Sequence, residues 1–114
     1  MKETKEKANV AVLVYGGGTN LQAIIDTEKT GKMPHCKIAL VVSNKKDAYA
    51  LKRAEAAGIP CRVIEKKKGQ QEEFEQSLVS CLESFHIDMI VLAGFMRILS
   101  KDFTDMYGGR IINV

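Results

Sequence analysis

Residues 9–21 read NVAVLVYGGGTNL, a run of seven mostly apolar residues that stops at three glycines. The run has the length of one strand, and its apolar residues are continuous rather than alternating. That pattern belongs to a strand buried on both faces, as in a parallel sheet with helices on either side. Leu21, Ile24 and Ile25, just past the glycines, fall on one face at helical spacing, with Glu28 one turn further along. Strand, glycine turn and helix in immediate succession predict the first βα unit of an α/β domain.

The same rhythm continues along the chain. Apolar runs recur at Lys37–Ser43 (KIALVVS), Cys61–Ile64 (CRVI), Asp88–Ala93 (DMIVLA) and Arg110–Val114 (RIINV). Gly31 closes the first helix. Asp47 is placed to cap a second, in which Ala48, Leu51 and Ala54 share a face before Gly58 and Pro60 stop it. Phe74, Leu78, Cys81, Leu82 and Phe85 give a third helix its apolar stripe, and Ser100 is placed to cap a short fourth ending near Gly108. The predicted fold is therefore a doubly wound, mostly parallel α/β sheet of Rossmann-like type with five strands. The alternation implies right-handed crossovers, and the expected strand order is 3-2-1-4-5, with a switch point between strands 1 and 4. Ligands of such sheets bind beside that switch, at the carboxyl ends of the strands.

Composition narrows the function classes. The 114 residues carry 17 Lys and Arg against 14 Asp and Glu, a formal charge of +3. That is too weak a balance to argue for nucleic acid. Hydrophobic residues make up 46%, too many and too patterned for a disordered chain. No apolar run reaches the ~18 residues of a membrane helix. The start MKETKEK has no signal-peptide character, so residues 1–8 are expected to form a disordered lead-in and the protein to be cytoplasmic. Cys36, Cys61 and Cys81 stand 25 and 20 residues apart, which fits no metal or redox motif. They read as small buried hydrophobes, and no metal site is expected.

Three loops at the predicted carboxyl edge can carry chemistry. Gly16-Gly17-Gly18-Thr19-Asn20 joins strand 1 to its helix, where backbone N–H groups and the helix N-terminus favour an anion. A tight βα turn with an ordinary N-cap would read similarly, but the switch-point position favours phosphate. No Gly-Lys-Ser/Thr is present, and Leu21 stands where a dinucleotide fingerprint wants glycine, so neither a P-loop nor an NAD site is expected. The loop after strand 4, Ala93-Gly94-Phe95-Met96-Arg97-Ile98-Leu99-Ser100, is apolar where an edge loop should be polar. It suggests either a planar apolar ligand or further protein over it. Asn113, at the end of strand 5, can donate to a developing oxyanion, although a lone Asn there is more often a turn residue. His35 and His86 precede strands 2 and 4, which places them at the opposite edge.

At these loops the sequence closely resembles the glycinamide ribonucleotide formyltransferases of purine synthesis, also called phosphoribosylglycinamide formyltransferases. Four stretches carry the likeness: GGGTNLQAIID, VVSNKKDAYALKRAEAAGIP, VLAGFMRILS and RIINV. The third is specific to folate-dependent formyltransferases, whereas the glycine loop alone is not. The resemblance implies formyl transfer from 10-formyltetrahydrofolate to the amine of glycinamide ribonucleotide. Gly18, Thr19 and Asn20 would hold the substrate phosphate. Met96, Arg97, Ile98 and Leu99 would hold the pterin, chiefly through backbone groups, and Asn113 would bind the formyl oxygen as the catalytic Asn.

The chain departs from the family pattern in places. Tyr15 replaces a small serine before the glycines. Gln71 stands where the family often has a ligand-holding arginine, so an ionic contact to the folate side is lost. The family's catalytic His lies two residues past the Asn, one beyond Val114, and its Asp lies later still. The resemblance thus reads residues 9–114 as the N-terminal nucleotide-binding half of a truncated formyltransferase domain, inactive by itself. An apolar RIINV strand at an unpaired edge would favour homo-oligomers. Two rival readings are a noncatalytic folate- or nucleotide-binding module, and another formyltetrahydrofolate enzyme such as a hydrolase or a tRNA or sugar-nucleotide formyltransferase.

Overall fold

The computed structural model of the chain describes residues 7–15, 19–46, 48–93 and 99–114. Strands and helices alternate in the order β1 (Ala8–Val14), α1 (Thr19–Lys29), β2 (Cys36–Ser43), α2 (Tyr49–Ala56), β3 (Cys61–Val63), α3 (Gln71–Ser84), β4 (Met89–Ala93), α4 (Lys101–Met106) and β5 (Ile111–Asn113). The sheet order is β3-β2-β1-β4-β5 and every described pairing is parallel. The doubly wound fold and the reversal beside β1 agree with the sequence reading. Strand β1 begins at Ala8, one residue earlier than the apolar run suggests, because the Ala8 amide donates to the His35 carbonyl at 2.8 Å.

The continuous apolar runs are explained by burial on two faces. Residues Val10–Val14 are at most 2% exposed. Val10, Val12 and Val14 pack with Leu21 and Ile25 of α1 and Ala50 and Ala54 of α2. Ala11 and Leu13 pack on the other face with Phe74, Leu78 and Leu82 of α3 and Phe103 of α4. Truncating one such leucine to alanine costs about 2–5 kcal/mol, a large share of a small domain's stability. Over β4 and β5 the α1 side of the sheet instead borders an open cleft of about 330 Å³, walled by apolar residues that include Ile24, Met89, Ile112 and Val114.

Two local readings change. Helix α2 starts at Tyr49, with extended Ala48 as its N-cap and no side-chain cap bond. Asp47 lies outside the described residues. The start at Tyr49 makes Ala50 and Ala54, one turn apart, the buried face, while Leu51 is only half-buried. The three cysteines are half-buried rather than buried, and all are free. Glu28 has a specific task, since its carboxylate accepts the Ile38 amide at 2.8 Å and ties α1 to β2.

Helices α1 and α2 end on Gly31 and Gly58, both at positive φ. In each case the two amides after the last turn bond back into the helix, closing a Schellman cap. Helix α3 ends the same way, but its left-handed residue is His86, at φ +54°. The His86 amide donates to Glu83 and the Ile87 amide to Leu82. The His86 carbonyl accepts the Asn9 side-chain amide at 3.0 Å, and the Asp88 carboxylate accepts the Asn9 backbone amide at 2.7 Å. The His86 backbone and the Asn9 and Asp88 side chains make this corner, and left-handed backbone at a non-glycine residue costs about 1–2 kcal/mol. Replacing His86 by Gly removes that cost but adds unfolded-state entropy, so stability should rise by about 0.5–1 kcal/mol. Urea unfolding checks this, and an unchanged or lowered midpoint would assign the imidazole a packing role.

Candidate active site at the carboxyl edge of the sheet

The strands end nearly level. Val63 pairs with Ser43, Ser43 with Val14 and Val14 with Ala93, while Asn113 pairs with Leu92 one step back. Neighbouring strands lie about 4.8 Å apart, so Asn113 is about 10 Å from the end of β1. Every loop with a sequence-predicted site residue leaves from this row. Asn20 is exposed in the first turn of α1, and Thr19 is its first helical residue. Gln71 opens α3, Leu99 and Ser100 lead into α4, and Asn113 closes β5. Gly16–Gly18 and the assigned folate residues Met96, Arg97 and Ile98 lie outside the described residues.

Charge separates the helix N-termini at this edge. Helices α3 and α4 carry Glu72, Glu73 and Asp102 in their first turns, which offset the positive dipole end. The first turns of α1 and α2 hold no acidic residue. Of these two, α1 follows the glycines directly, and the amides and dipole of a helix N-terminus favour an anion. Lys45, just past β2, adds a cation, with its ammonium 5.5 Å from the centre of the Tyr15 ring. Tyr15 itself is 54% exposed. The turn behind Lys45 is built by Ser43, fully buried, whose hydroxyl accepts the Lys45 amide at 3.0 Å and donates to the Lys45 carbonyl at 2.8 Å. Asn44 beside it buries its Oδ1 without a hydrogen-bond partner among the described residues.

Strand alternation sets which side of the sheet Asn113 serves. Ile111 packs with the α3/α4 cluster, while Ile112 and Val114 line the cleft on the α1 side. Asn113, between them, belongs to the α3/α4 side. Leu99 packs into that same cluster. On this side Gln71 Nε2 donates to Glu75 Oε2 at 2.7 Å. Ser100 donates to the same carboxylate twice and caps α4 by accepting the Phe103 amide at 3.2 Å. The Glu75 link and the Lys45–Tyr15 contact were not foreseen from sequence. The four-residue spacing of Gln71 and Glu75 is visible there, but the Ser100 partner is 25 residues away.

Among the described residues this edge has no proton-transfer group suited to neutral pH. The His35 carbonyl bonds to Ala8 and the His86 carbonyl to Asn9, so both histidines sit at the amino edge, about 20 Å away at ~3.3 Å per strand residue. Two of the three thiols are held toward their protonated form. Burial pushes Cys61 up, helped by Glu55 and opposed by Arg62, and burial pushes Cys81 up against the same Arg62.

Comparison with known proteins identifies the family and the fold. The formyl transferase family model matches residues 8–114. The chain is 47% identical over 109 residues to the trifunctional purine biosynthetic protein adenosine-3 of Gallus gallus, covering 95% of this chain and 11% of that protein. It is 46% identical over 106 residues to phosphoribosylglycinamide formyltransferase of Haemophilus influenzae, covering 92% of this chain and 50% of the relative. The solved phosphoribosylglycinamide formyltransferase of Coxiella burnetii superposes with a TM-score of 0.87 at 43% identity, over 95% of this chain and 51% of that one. The chain belongs to the formyl transferase family. It spans about half the length of these bacterial relatives.

The raised thiols have a measurable consequence. A thiol held protonated in the fold contributes stability that is complete below the unfolded value of about 8.5 and is lost as pH rises through the folded value. Tyr107, also pushed up by burial and Glu83 against Arg110, acts in the same direction at higher pH. Urea midpoints should therefore fall between pH 8 and pH 10, and iodoacetamide should modify Cys61 and Cys81 slowly at pH 7.5. Rapid modification of the folded protein at pH 7.5 would contradict the burial effect.

Proposed function

We propose that residues 9–114 are the nucleotide-binding half of a phosphoribosylglycinamide formyltransferase, working in the cytoplasm on glycinamide ribonucleotide and 10-formyltetrahydrofolate. The observation that carries this reading is that the acid-free N-terminus of α1, Leu99 and Asn113 all lie at the carboxyl edge, on the strands either side of the switch between β1 and β4. Gly18, Thr19 and Asn20 would hold the substrate phosphate, with Lys45 adding positive charge at the rim. Met96, Arg97, Ile98 and Leu99 would hold the pterin, with Gln71 beside them.

In formyl transfer the substrate amine attacks the formyl carbon, the carbonyl oxygen gains negative charge, and collapse expels the folate nitrogen as the amine proton passes to it. Asn113 suits the second event, since its amide can donate to the developing oxyanion. It cannot carry the proton, because a carboxamide neither accepts nor releases one usefully at neutral pH. That role calls for a residue outside this chain's described edge. The named relatives favour the ribonucleotide formyltransferase over the hydrolase, tRNA or sugar-nucleotide alternatives.

Titration with glycinamide ribonucleotide tests the phosphate assignment. The amide NMR signals of Gly18, Thr19 and Asn20 should move first, and Asn20→Leu should weaken binding by about 1–3 kcal/mol. Signals that stay fixed at millimolar ligand while others shift would place the phosphate elsewhere.

A further inference from the structure

We infer that Glu75 is a positioning residue for the folate side of the site, an inference that rests on the folate assignment above. Its carboxylate is half-buried between α3 and the entry to α4. Oε2 accepts Gln71 Nε2 at 2.7 Å and the Ser100 amide at 2.6 Å, while Oε1 accepts the Ser100 hydroxyl at 2.6 Å. The hydroxyl gives its only proton to Glu75, so it meets the Phe103 amide as an acceptor, which is what an N-cap requires. One carboxylate therefore fixes three things: the Gln71 side chain, the backbone next to Leu99 and the capped start of α4. Leu99 and Gln71 are two of the residues assigned to the folate.

Three donors converge on this carboxylate, and only an anion with two acceptor oxygens accepts them all. A glutamine here would present one oxygen and one NH₂ group. It could accept the Ser100 amide, yet its NH₂ would meet the Gln71 NH₂ or the Ser100 hydroxyl. Glu75 touches neither reacting group in this arrangement. It acts through Leu99, Ser100 and Gln71, and its loss should loosen the folate side alone, since Asn20 and the phosphate end are held by β1 and α1.

The test compares two ligands on one protein. Tetrahydrofolate and glycinamide ribonucleotide are titrated separately into the wild-type chain and into Glu75→Ala, Glu75→Gln and Ser100→Ala, with hydrogen exchange at the Ser100 amide followed in parallel. The tetrahydrofolate Kd should rise about tenfold in Glu75→Ala and by less in Glu75→Gln, with faster Ser100 exchange, while the ribonucleotide Kd stays within about twofold. If Glu75→Ala does not fold, Glu75→Gln carries the same comparison. Equal losses for both ligands, or no loss for tetrahydrofolate, would overturn the positioning role. A wild-type chain that binds the ribonucleotide but no tetrahydrofolate would overturn the folate assignment and this inference with it.

Discussion

Strand β1 is hydrogen-bonded to β2 on one side and β4 on the other, and helices cover both of its faces. This double enclosure decides where ligands can go. The chain winds away from β1 through α1 in one direction and returns beside it as β4 from the other. The connections leaving β1 and β4 must therefore part over the carboxyl edge, leaving a crevice between them. Thr19 and Asn20 open α1 on one side of the switch between β1 and β4, and Leu99 and Ser100 lead into α4 on the other. A charge placed in the interior of β1 would lose its solvation on both faces, and the crevice would be lost with the sheet.

The edge divides its labour by chemistry. The α1 side is suited to an anion: free amides, an acid-free first turn and a lysine at the rim. The α3/α4 side is suited to an apolar, hydrogen-bonding partner, with Leu99 in the core cluster and Gln71 and Ser100 tied to Glu75. Asn113 projects on that second side, about two strand spacings from the end of β1. What this edge lacks among the described residues is a group that can move a proton. The apolar cleft beside β5 shows that the α1 side of the sheet is still open there, and the bacterial relatives are about twice as long as this chain.

Much of this was legible in the sequence because burial on two faces writes itself as unbroken apolar runs. The runs at 9–15, 37–43 and 88–93 placed β1, β2 and β4 within a residue or two, and the expected strand order is the one the sheet has. Ser100 was recognisable as a cap because a hydroxyl three residues before Phe103 has a local partner. The start of α2 was not legible, since extended Ala48 caps it with no side-chain bond to mark the boundary. The cysteines were overburied, because a small apolar residue in a strand or helix looks the same at the rim as in the core. Glu75 was missed for a different reason. Glutamates at the start of a helix are common surface residues, and only the tertiary fold brings Ser100 to this one.

The central proposal is that these residues build the binding side of a formyl-transfer site and that proton transfer falls to a group outside them. The most direct measurement supplies both substrates to a polypeptide of these 114 residues and follows the folate absorbance, first alone and then with a separately expressed second half of the Haemophilus influenzae relative. The fragment alone should show no turnover, and formyl transfer should appear on complementation. Clear turnover by the 114 residues alone would contradict the claim, because a proton-transfer group would then have to lie within them.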